Sequence, residues 1–231
     1  MPDLREDKSC YASSAHRETL LHLLTHPMVE EGFFLTGGTA LAVFDLHHRV
    51  SMDLDLFTLQ STDLGEIDFW IKTEWGRDSV RMRRSQNFLA VSIRAVKVEF
   101  VVDVLAEPGI RRKHVFENGR SLWVDTMGNI ESNKLCALAS RTEPKDFVDY
   151  YYLCRDFSME KLEDVYERGK RKEALLDDPA TVAYQIEETV SLIRANPALL
   201  PRILIRFDQE DFFRFYEKVT AWIYRKGEPA R

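Results

Sequence analysis

Two carboxylates that alternate with leucine are the residues of this chain whose spacing points most directly to chemistry. Asp53 and Asp55 flank Leu54 in a short run typical of a β-strand, and the two-residue period of a strand places both carboxylates on one face. At a separation of about 5 Å they would repel each other by roughly 3 kcal/mol at an effective dielectric constant of about 20. Because Mg²⁺ binds one or two protein carboxylates and fills its other positions with water and phosphate oxygens, the pair predicts a magnesium site.

A glycine corner lies just ahead of this pair. Gly37, Gly38 and Thr39 follow the apolar run Phe33–Leu35 and open a helix-like stretch. The first N–H groups of a helix have no partner within the helix, and the helix dipole favours an anion beside them. We therefore expect the corner to hold the terminal phosphates of a nucleotide. Taken alone, two glycines after a strand more often form only a turn, and an Asp-x-Asp strand is as often the solvated face of a sheet. The order of the two elements within about 25 residues favours one binding site.

A third carboxylate is expected on the strand predicted from Ala95 to Val104. Glu99 and Asp103 share a face of that strand, but four residues of strand separate them by about 13 Å, so both cannot serve one metal site. We choose Glu99 as the third ligand and keep Asp103 as the alternative. For either residue, a charged side chain on an exposed sheet face is an equally good interpretation.

A second set of charged residues lies further along the chain. Lys134 has apolar neighbours that could bury its stem while its ammonium group reaches a triphosphate. Pro144 suits the first turn of a later helix, where Asp146 and Asp149 lie three residues apart on one face. Asp146 could instead only complement the helix dipole. Arg49, close before the carboxylate pair, could contact a phosphate or the acceptor through its bidentate fork.

In two blocks the sequence resembles the AbiEii-type (abortive-infection toxin) branch of the nucleotidyltransferase superfamily. The matching segments are, in chain order, Leu35–Ala42, His48–Phe57, Asn133–Leu138, Arg141 and Lys145–Leu153. The resemblance implies a polymerase-β-like nucleotidyltransferase fold with a helical C-terminal part. It also implies Mg²⁺ dependence and transfer of a nucleoside monophosphate from an NTP to an acceptor. Several members of the family are toxins of toxin–antitoxin pairs, and some add nucleotides to the acceptor end of tRNA, which raises RNA or tRNA as the acceptor and a cognate antitoxin as a partner.

The resemblance also assigns roles to the candidate residues. Mg²⁺ is expected at Asp53, Asp55 and Glu99, and the nucleotide at Gly37, Gly38, Thr39 and Arg49. Lys134 is expected to neutralise the triphosphate, while Asp149 or Asp146 positions that lysine or a nucleotide group. The family more often carries Asp where this chain has Glu99. That difference keeps a nucleotide-binding module without catalysis as one alternative, and a small-molecule, antibiotic-type nucleotidyltransferase is the other.

Composition limits the class of protein. A chain of 231 residues with 45% hydrophobic residues can bury a real core. Its three cysteines, Cys10, Cys136 and Cys154, include no close-spaced pair, which gives no disulfide or zinc framework and suits a reducing compartment. No apolar run reaches the length of a membrane span and the N-terminus is charged, so we expect a cytoplasmic protein without a membrane partner.

Charge is spread unevenly along the chain. The formal net charge is −6, yet residues 77–120 carry 10 Lys and Arg against 5 Asp and Glu. The basic positions that stand out there are Arg77, Arg81, Arg83, Arg84, Arg111, Arg112 and Lys113. They could steer an RNA backbone to the site, or they could equally be a solvated basic sheet edge that blocks edge pairing.

The pattern of hydrophobic residues predicts an α/β (α+β) lobe over residues 1–125 and a helical lobe over 126–231, with the active site between them. Strands of a mixed sheet are predicted near Gly32–Leu35, Asp53–Phe57, Val80–Arg84, Phe88–Arg94 and Val96–Val104. Helices of the first lobe are predicted near Ser14–His26, after the glycines and over Asp63–Trp75. Helices of the second lobe are predicted near Ile130–Ala139, Pro144–Asp156, Glu160–Lys172, Thr181–Ala195 and Gln209–Tyr224.

Overall fold

A computed structural model describes residues 4–107 and 109–227 of the chain. The chain divides into two compact units, Met1–Thr126 and Met127–Arg231. The first unit contains a β-sheet with helices, and the described part of the second is helical.

The sheet of the first unit has seven strands in the order β3-β4-β5-β2-β1-β7-β6. The strands are β1 (Phe34–Thr36), β2 (Asp53–Thr58), β3 (Ser79–Arg84), β4 (Phe88–Ile93), β5 (Val96–Val102), β6 (Arg112–Val115) and β7 (Ser121–Val124). The sheet is mixed, as predicted, because β2 pairs with β5 and β1 with β7 in parallel while the other pairs are antiparallel.

Two of these strands were not predicted. β6 and β7 have four residues each, too few for a period-two pattern to stand out, and the sequence analysis predicted no strand in that region. β5 also ends at Val102 rather than Val104. The short strands are held by their neighbours: β6 pairs only with β7 among the described residues, and β7 also pairs with β1.

Helices pack beside the sheet in the first unit. They are α1 (Ser14–Leu23), α2 (Pro27–Gly32), the short α3 (Gly37–Ala40), which continues into a π-helical segment (Leu41–Leu46), and α4 (Leu64–Trp75). The Ser13 and Asp63 side chains cap α1 and α4 by accepting hydrogen bonds from backbone N–H groups. The alternation of β2 and β5 buries Leu54, Leu56 and Phe100 completely, and burial of such side chains stabilises the unit by about 1.5–3 kcal/mol each.

The second unit contains the five predicted helices. They are α5 (Met127–Ser140), α6 (Pro144–Cys154), α7 (Met159–Lys170), α8 (Pro179–Ala195) and α9 (Gln209–Lys226). Proline occupies the first turn of α6 and of α8, where its missing N–H costs nothing. Tyr150, Tyr151 and Tyr152 are buried, as expected of core residues. None of the helices in the described ranges is long and apolar enough to cross a membrane.

Candidate active site

The glycine corner forms where β1 ends. Thr36 is the N-cap residue of α3, and Gly37 follows with φ of +65°. Glycine is the residue that adopts this left-handed conformation without steric cost. The helical stretch predicted after the glycines is present as α3 and the π-helical segment. The corner therefore turns the chain from the sheet into a helix within two residues.

The carboxylate pair lies on β2, directly beside this corner. Asp53 and Asp55 are half-buried on one face of the strand, while Leu54 and Leu56 are buried on the other. Asp55 is the register partner of Thr36 in the antiparallel β1–β2 pair. A Cβ atom placed on Gly37 would lie 2.3 Å from Oδ2 of Asp55. The absence of a side chain at Gly37 thus lets the backbone of the corner approach the carboxylate.

Glu99 joins the pair through the pairing of β2 with β5. The register sets Glu99 opposite Asp55 and Lys97 opposite Asp53, and neighbouring strands lie about 4.8 Å apart. The burial patterns of both strands put these four residues on the same, half-exposed face. The structure therefore brings the three predicted metal ligands onto one face of two adjacent strands.

Asp103, the alternative third ligand, lies past the end of β5. Its side chain accepts a hydrogen bond from the backbone N–H of Leu105 at 3.0 Å and so stabilises a turn. Its place along the chain is about 13 Å from Glu99 by strand rise. The register therefore favours Glu99 over Asp103 as the neighbour of Asp55.

Lys97 shows how strongly this face attracts cations. Its ammonium group lies 2.7 Å from Oε1 of Glu99. Partial burial by itself would lower the pKa of Lys97, but the hydrogen bond to Glu99 and the charges of Asp53 and Asp55 raise that pKa above its usual value. Three carboxylates thus act together on one cation, which is the electrostatic condition for binding a divalent ion. The sequence analysis assigned no role to Lys97.

Thr39 and Arg49, both predicted to contact the nucleotide, are buried. The hydroxyl of Thr39, fully buried, donates to the Asp53 carbonyl and lies 2.8 Å from Oγ of Ser51. Arg49 is 2% exposed and donates to the carbonyl of Val50 at 2.9 Å. A Cβ atom on Gly38 would lie 2.3 Å from Nη2 of Arg49. These side chains fix the corner against β2, and their contact with a phosphate stays a prediction.

A second group of buried polar residues lies where β1 pairs with β7, on the opposite side of β1 from β2. Thr36 donates to Oδ2 of Asp125 at 2.7 Å, and Nη2 of Arg111 lies 3.2 Å from Oδ1 of the same carboxylate. The Arg111 guanidinium also stacks on the ring of Phe34 at 3.6 Å. The sequence analysis missed Asp125. The available signal was its position directly after a short apolar strand, β7, but that strand was not recognised.

The second unit holds a buried ion cluster around Lys134. Its Nζ lies 2.7 Å from Asp146 on one side and 2.6 Å from Asp149 on the other, and Asp146 also accepts from Arg141 at 2.8 Å. Lys134 is 4% exposed and neither aspartate is exposed. Burial alone would raise the pKa of Asp146, but Lys134 and Arg141 more than offset this and lower it. The aspartates hold the lysine, whereas its contact with a triphosphate stays a prediction.

A substitution at Gly37 tests whether activity depends on the close approach of the backbone to Asp55. We expect Gly37→Ala to lower nucleotidyl transfer by roughly a hundredfold, because the new methyl group must displace the Asp55 carboxylate and a shift of about 1 Å in a site can cost that much. Gly119→Ala is the matched control, because Gly119 also has positive φ, +80°, but no atom lies within 4 Å of a Cβ atom placed on it. Equal activity of the two purified variants in a transfer assay would contradict this role of Gly37.

Comparisons with known proteins give a consistent picture. A family model described as "Nucleotidyl transferase AbiEii toxin, Type IV TA system" matches residues 19–221. No curated protein sequence matches the chain significantly.

Three solved structures are similar in fold. MenT4, a nucleotidyltransferase toxin from Mycobacterium tuberculosis H37Rv, aligns with a TM-score of 0.56 at 16% identity, over 94% of this chain and 83% of its own. JHP933 from Helicobacter pylori aligns with a TM-score of 0.53 at 19% identity, over 93% of this chain and 94% of its own. The antibiotic-resistance factor ANT(2'')-Ia aligns with a TM-score of 0.51 at 16% identity, over 72% of this chain and 97% of its own. These similarities confirm the predicted polymerase-β-like fold.

Proposed function

We propose a specific reaction for this chain, which belongs to the AbiEii family of nucleotidyl transferase toxins of type IV toxin–antitoxin systems. As a member of that family it is a nucleotidyltransferase that uses an NTP. We propose further that it depends on Mg²⁺ and moves a nucleoside monophosphate to an RNA acceptor, such as the acceptor end of a tRNA. The observation that carries this proposal is the register of β2 and β5, which sets Glu99 beside Asp55.

The donor set on this face suits magnesium. Asp53, Asp55 and Glu99 offer only carboxylate oxygens, the hard ligands that Mg²⁺ prefers, and the raised pKa of Lys97 indicates a strong negative potential there. When bound, the ion would supply charge neutralisation for the phosphates and would lower the pKa of an acceptor hydroxyl. Lys97 is already paired with Glu99, so a divalent ion at Glu99 would compete with that ammonium group.

The residues of the site have distinct tasks in this reaction. Backbone N–H groups of the corner at Gly38 and Thr39 would bind the terminal phosphates, and Asp53, Asp55 and Glu99 would hold the ion, which would supply positive charge beside the phosphates. The acceptor oxygen forms a new bond to the α-phosphorus in line with the leaving pyrophosphate, which departs with the electron pair of the broken P–O bond. Glu99 takes the proton of the acceptor hydroxyl. Lys134, held by Asp146 and Asp149, is proposed to offset triphosphate charge.

Arg83 supports RNA as the acceptor. It pairs with Ala90 across β3 and β4, and Ala90 pairs with Glu99 across β4 and β5. Directly paired residues point to the same face of a sheet, so Arg83 shares a face with the carboxylates, about 10 Å from Glu99. Arg81 and Arg84 instead reach Asp68 on α4 at 2.8 Å and 3.6 Å. Arg83 is therefore the basic residue of β3 best placed to hold a phosphate of the acceptor backbone.

A labelling experiment tests the proposed reaction. The purified protein is incubated with each of the four labelled NTPs, Mg²⁺ and total RNA, and in a parallel arm with aminoglycosides in place of RNA. We expect label in the RNA fraction from one or two of the NTPs, and its loss when EDTA removes the metal. Label that appears only on the aminoglycoside would favour the antibiotic-type alternative. NTP binding without label in either arm would support the alternative of a nucleotide-binding module without catalysis.

Charge reversal at Arg83 separates RNA recognition from chemistry. We expect Arg83→Glu to raise the KM for RNA roughly tenfold and to flatten its salt dependence, because one phosphate contact is lost, while NTP binding is unchanged. Arg77→Glu makes the same change of charge at an exposed position just before β3 and should change the KM far less. An equal rise in the KM for RNA in both variants would mean that RNA binding depends on the overall charge of the protein and not on the position of Arg83.

Membership in a family of toxins of type IV systems also supports an antitoxin partner. We propose that expression of the active chain slows bacterial growth and that a product encoded beside it relieves this effect. Growth curves with the active chain, with an inactive variant, and with the neighbouring reading frame co-expressed would test it. Growth arrest by the inactive variant would argue against toxicity through nucleotidyl transfer.

A further inference from the structure

A cluster of metal-binding side chains lies in the first unit on elements that the reaction above does not use. Asp7, Cys10 and His47 each offer one ligand atom, and the three atoms lie within 4.8 Å of one another. Cys10 is fully buried, whereas Asp7 and His47 are half-buried. The sequence analysis found no zinc framework, because Cys10 has no close-spaced cysteine and His47 is remote from it in the chain.

The surroundings orient these ligands as they do in metal sites. Nδ1 of His47 lies 3.2 Å from the carbonyl of Ala42, and a histidine that donates one ring N–H to a carbonyl presents its other nitrogen as a ligand. Oδ1 of Asp7 accepts from the backbone N–H and the hydroxyl of Ser9 at 2.9 Å and 2.7 Å. These hydrogen bonds fix the carboxylate, one oxygen of which lies within 4.8 Å of the ligand atoms of Cys10 and His47.

The backbone holds the three residues independently of any ion. The N–H of Asp7 donates to the carbonyl of Val43 at 2.9 Å, and the N–H of Ser51 donates to the carbonyl of Cys10 at 2.8 Å. His47 ends the π-helical segment in the left-handed conformation, with φ of +52°. A non-glycine residue pays a cost of roughly 1 kcal/mol or more for that backbone, so the position of the imidazole is closely defined.

We propose that Asp7, Cys10 and His47 bind a zinc ion, with water as the fourth ligand. A thiolate, an imidazole and a carboxylate form a borderline donor set that favours Zn²⁺ over Mg²⁺. As the Zn–S bond forms, the thiol proton leaves to solvent, which the half-buried Asp7 and His47 do not fully exclude. The ion would join the N-terminal segment to the helical stretch after the glycine corner.

The consequence of this site is structural. The N–H of Ser51, which is not one of the proposed ligands, donates to the carbonyl of Cys10, and Ser51 lies two residues before Asp53. A zinc ion would therefore stabilise the segment that carries the carboxylate pair without touching the carboxylates. Its binding does not depend on the proposed acceptor or on nucleotidyl transfer.

Metal analysis of the full chain tests the inference. The protein is stripped with a chelator, dialysed against Zn²⁺ or Co²⁺, and examined by elemental analysis and absorption spectroscopy. We expect one Zn²⁺ per chain, a thiolate-to-cobalt charge-transfer band with Co²⁺, and a higher melting temperature with Zn²⁺. Asp53→Asn should leave all three unchanged, which separates this site from the magnesium site.

Two variants and one control make the result specific. Cys10→Ser should abolish the charge-transfer band and Zn²⁺ retention. His47→Asn should weaken Zn²⁺ binding at least tenfold while keeping the fold, because Asn tolerates the left-handed backbone. Cys154→Ser removes another buried thiol, in the second unit, and should retain the ion. The site is refuted if the unmodified chain neither retains Zn²⁺ nor gives the charge-transfer band. It is also refuted if His47→Asn binds Zn²⁺ as tightly as the unmodified chain.

Discussion

Asp53→Asn should lower kcat/KM for nucleotidyl transfer by roughly a thousandfold, about 4 kcal/mol of transition-state stabilisation. The substitution keeps the shape of the side chain but removes the charge that draws a divalent ion to the face of β2. Asp53 is half-buried, and its carbonyl, which accepts from Thr39, is untouched. We therefore expect the melting temperature to stay within a few degrees of the unmodified protein. Transfer assays over a range of Mg²⁺ concentrations, with thermal unfolding in parallel, provide the measurement.

The neighbouring carboxylates supply a matched comparison. Glu99→Gln removes the charge beside Asp55 and should also lose transfer by two to three orders of magnitude, on the order of 3–4 kcal/mol. Asp103→Asn makes the same chemical change past the end of β5, at a residue whose carboxylate stabilises a turn with Leu105, and should retain most activity. Full activity of Asp53→Asn would show that the magnesium site does not lie on this face of β2. If Asp103→Asn lost more transfer activity than Glu99→Gln, the third ligand would be Asp103.

Lys134→Met should destabilise the second unit by about 3–5 kcal/mol, because it leaves buried carboxylates without their cation. The sequence alone suggests a milder result, since Met is a good helix former of similar length. The structure revises that expectation: the ammonium group of Lys134 lies between Asp146 and Asp149, and neither carboxylate is exposed. Asp146 keeps its ion pair with Arg141, so part of the cluster's stabilisation remains in the variant. Denaturant unfolding of the purified variant measures it.

A second substitution and a pH series make this prediction specific. Lys134→Met combined with Asp149→Asn should recover part of the lost stability, because one of the two buried carboxylates that faced the ammonium group is then neutral. The pKa of Asp146 is lowered in the folded protein by Lys134 and Arg141 against the raising effect of burial. Its contribution is therefore present above the unfolded pKa of about 3.9 and is lost as the pH falls through the folded value. Lys134→Met should flatten or invert this acid dependence. An unfolding free energy equal to that of the unmodified protein would show that the ion cluster contributes nothing.

Local sequence determined the parts of the site that adjacent residues encode. Strand alternation places Asp53 and Asp55 on one face independently of the rest of the chain. The buried Leu54 and Leu56 confirm that the carboxylates lie on the more exposed face. The turn from β1 into a helix follows from Gly37, whose φ is positive. The long helices of the second unit show the same dependence on local pattern, because their apolar periodicity spans many residues and their caps lie within the same segment.

Tertiary structure decided everything that depends on pairing between distant segments. Glu99 rather than Asp103 lies beside Asp55 because of the register of β2 with β5, which residues more than 40 positions apart establish together. Asp125 reaches Thr36 only because β7, a strand of four residues, pairs with β1. In the same way Asp7 and Cys10 approach His47 because the N–H of Asp7 donates to the carbonyl of Val43 and the N–H of Ser51 donates to the carbonyl of Cys10. A periodic pattern reports which face a side chain occupies, but it carries no information on which strand or helix will lie next to it, because that choice is made by the packing free energy of the whole unit.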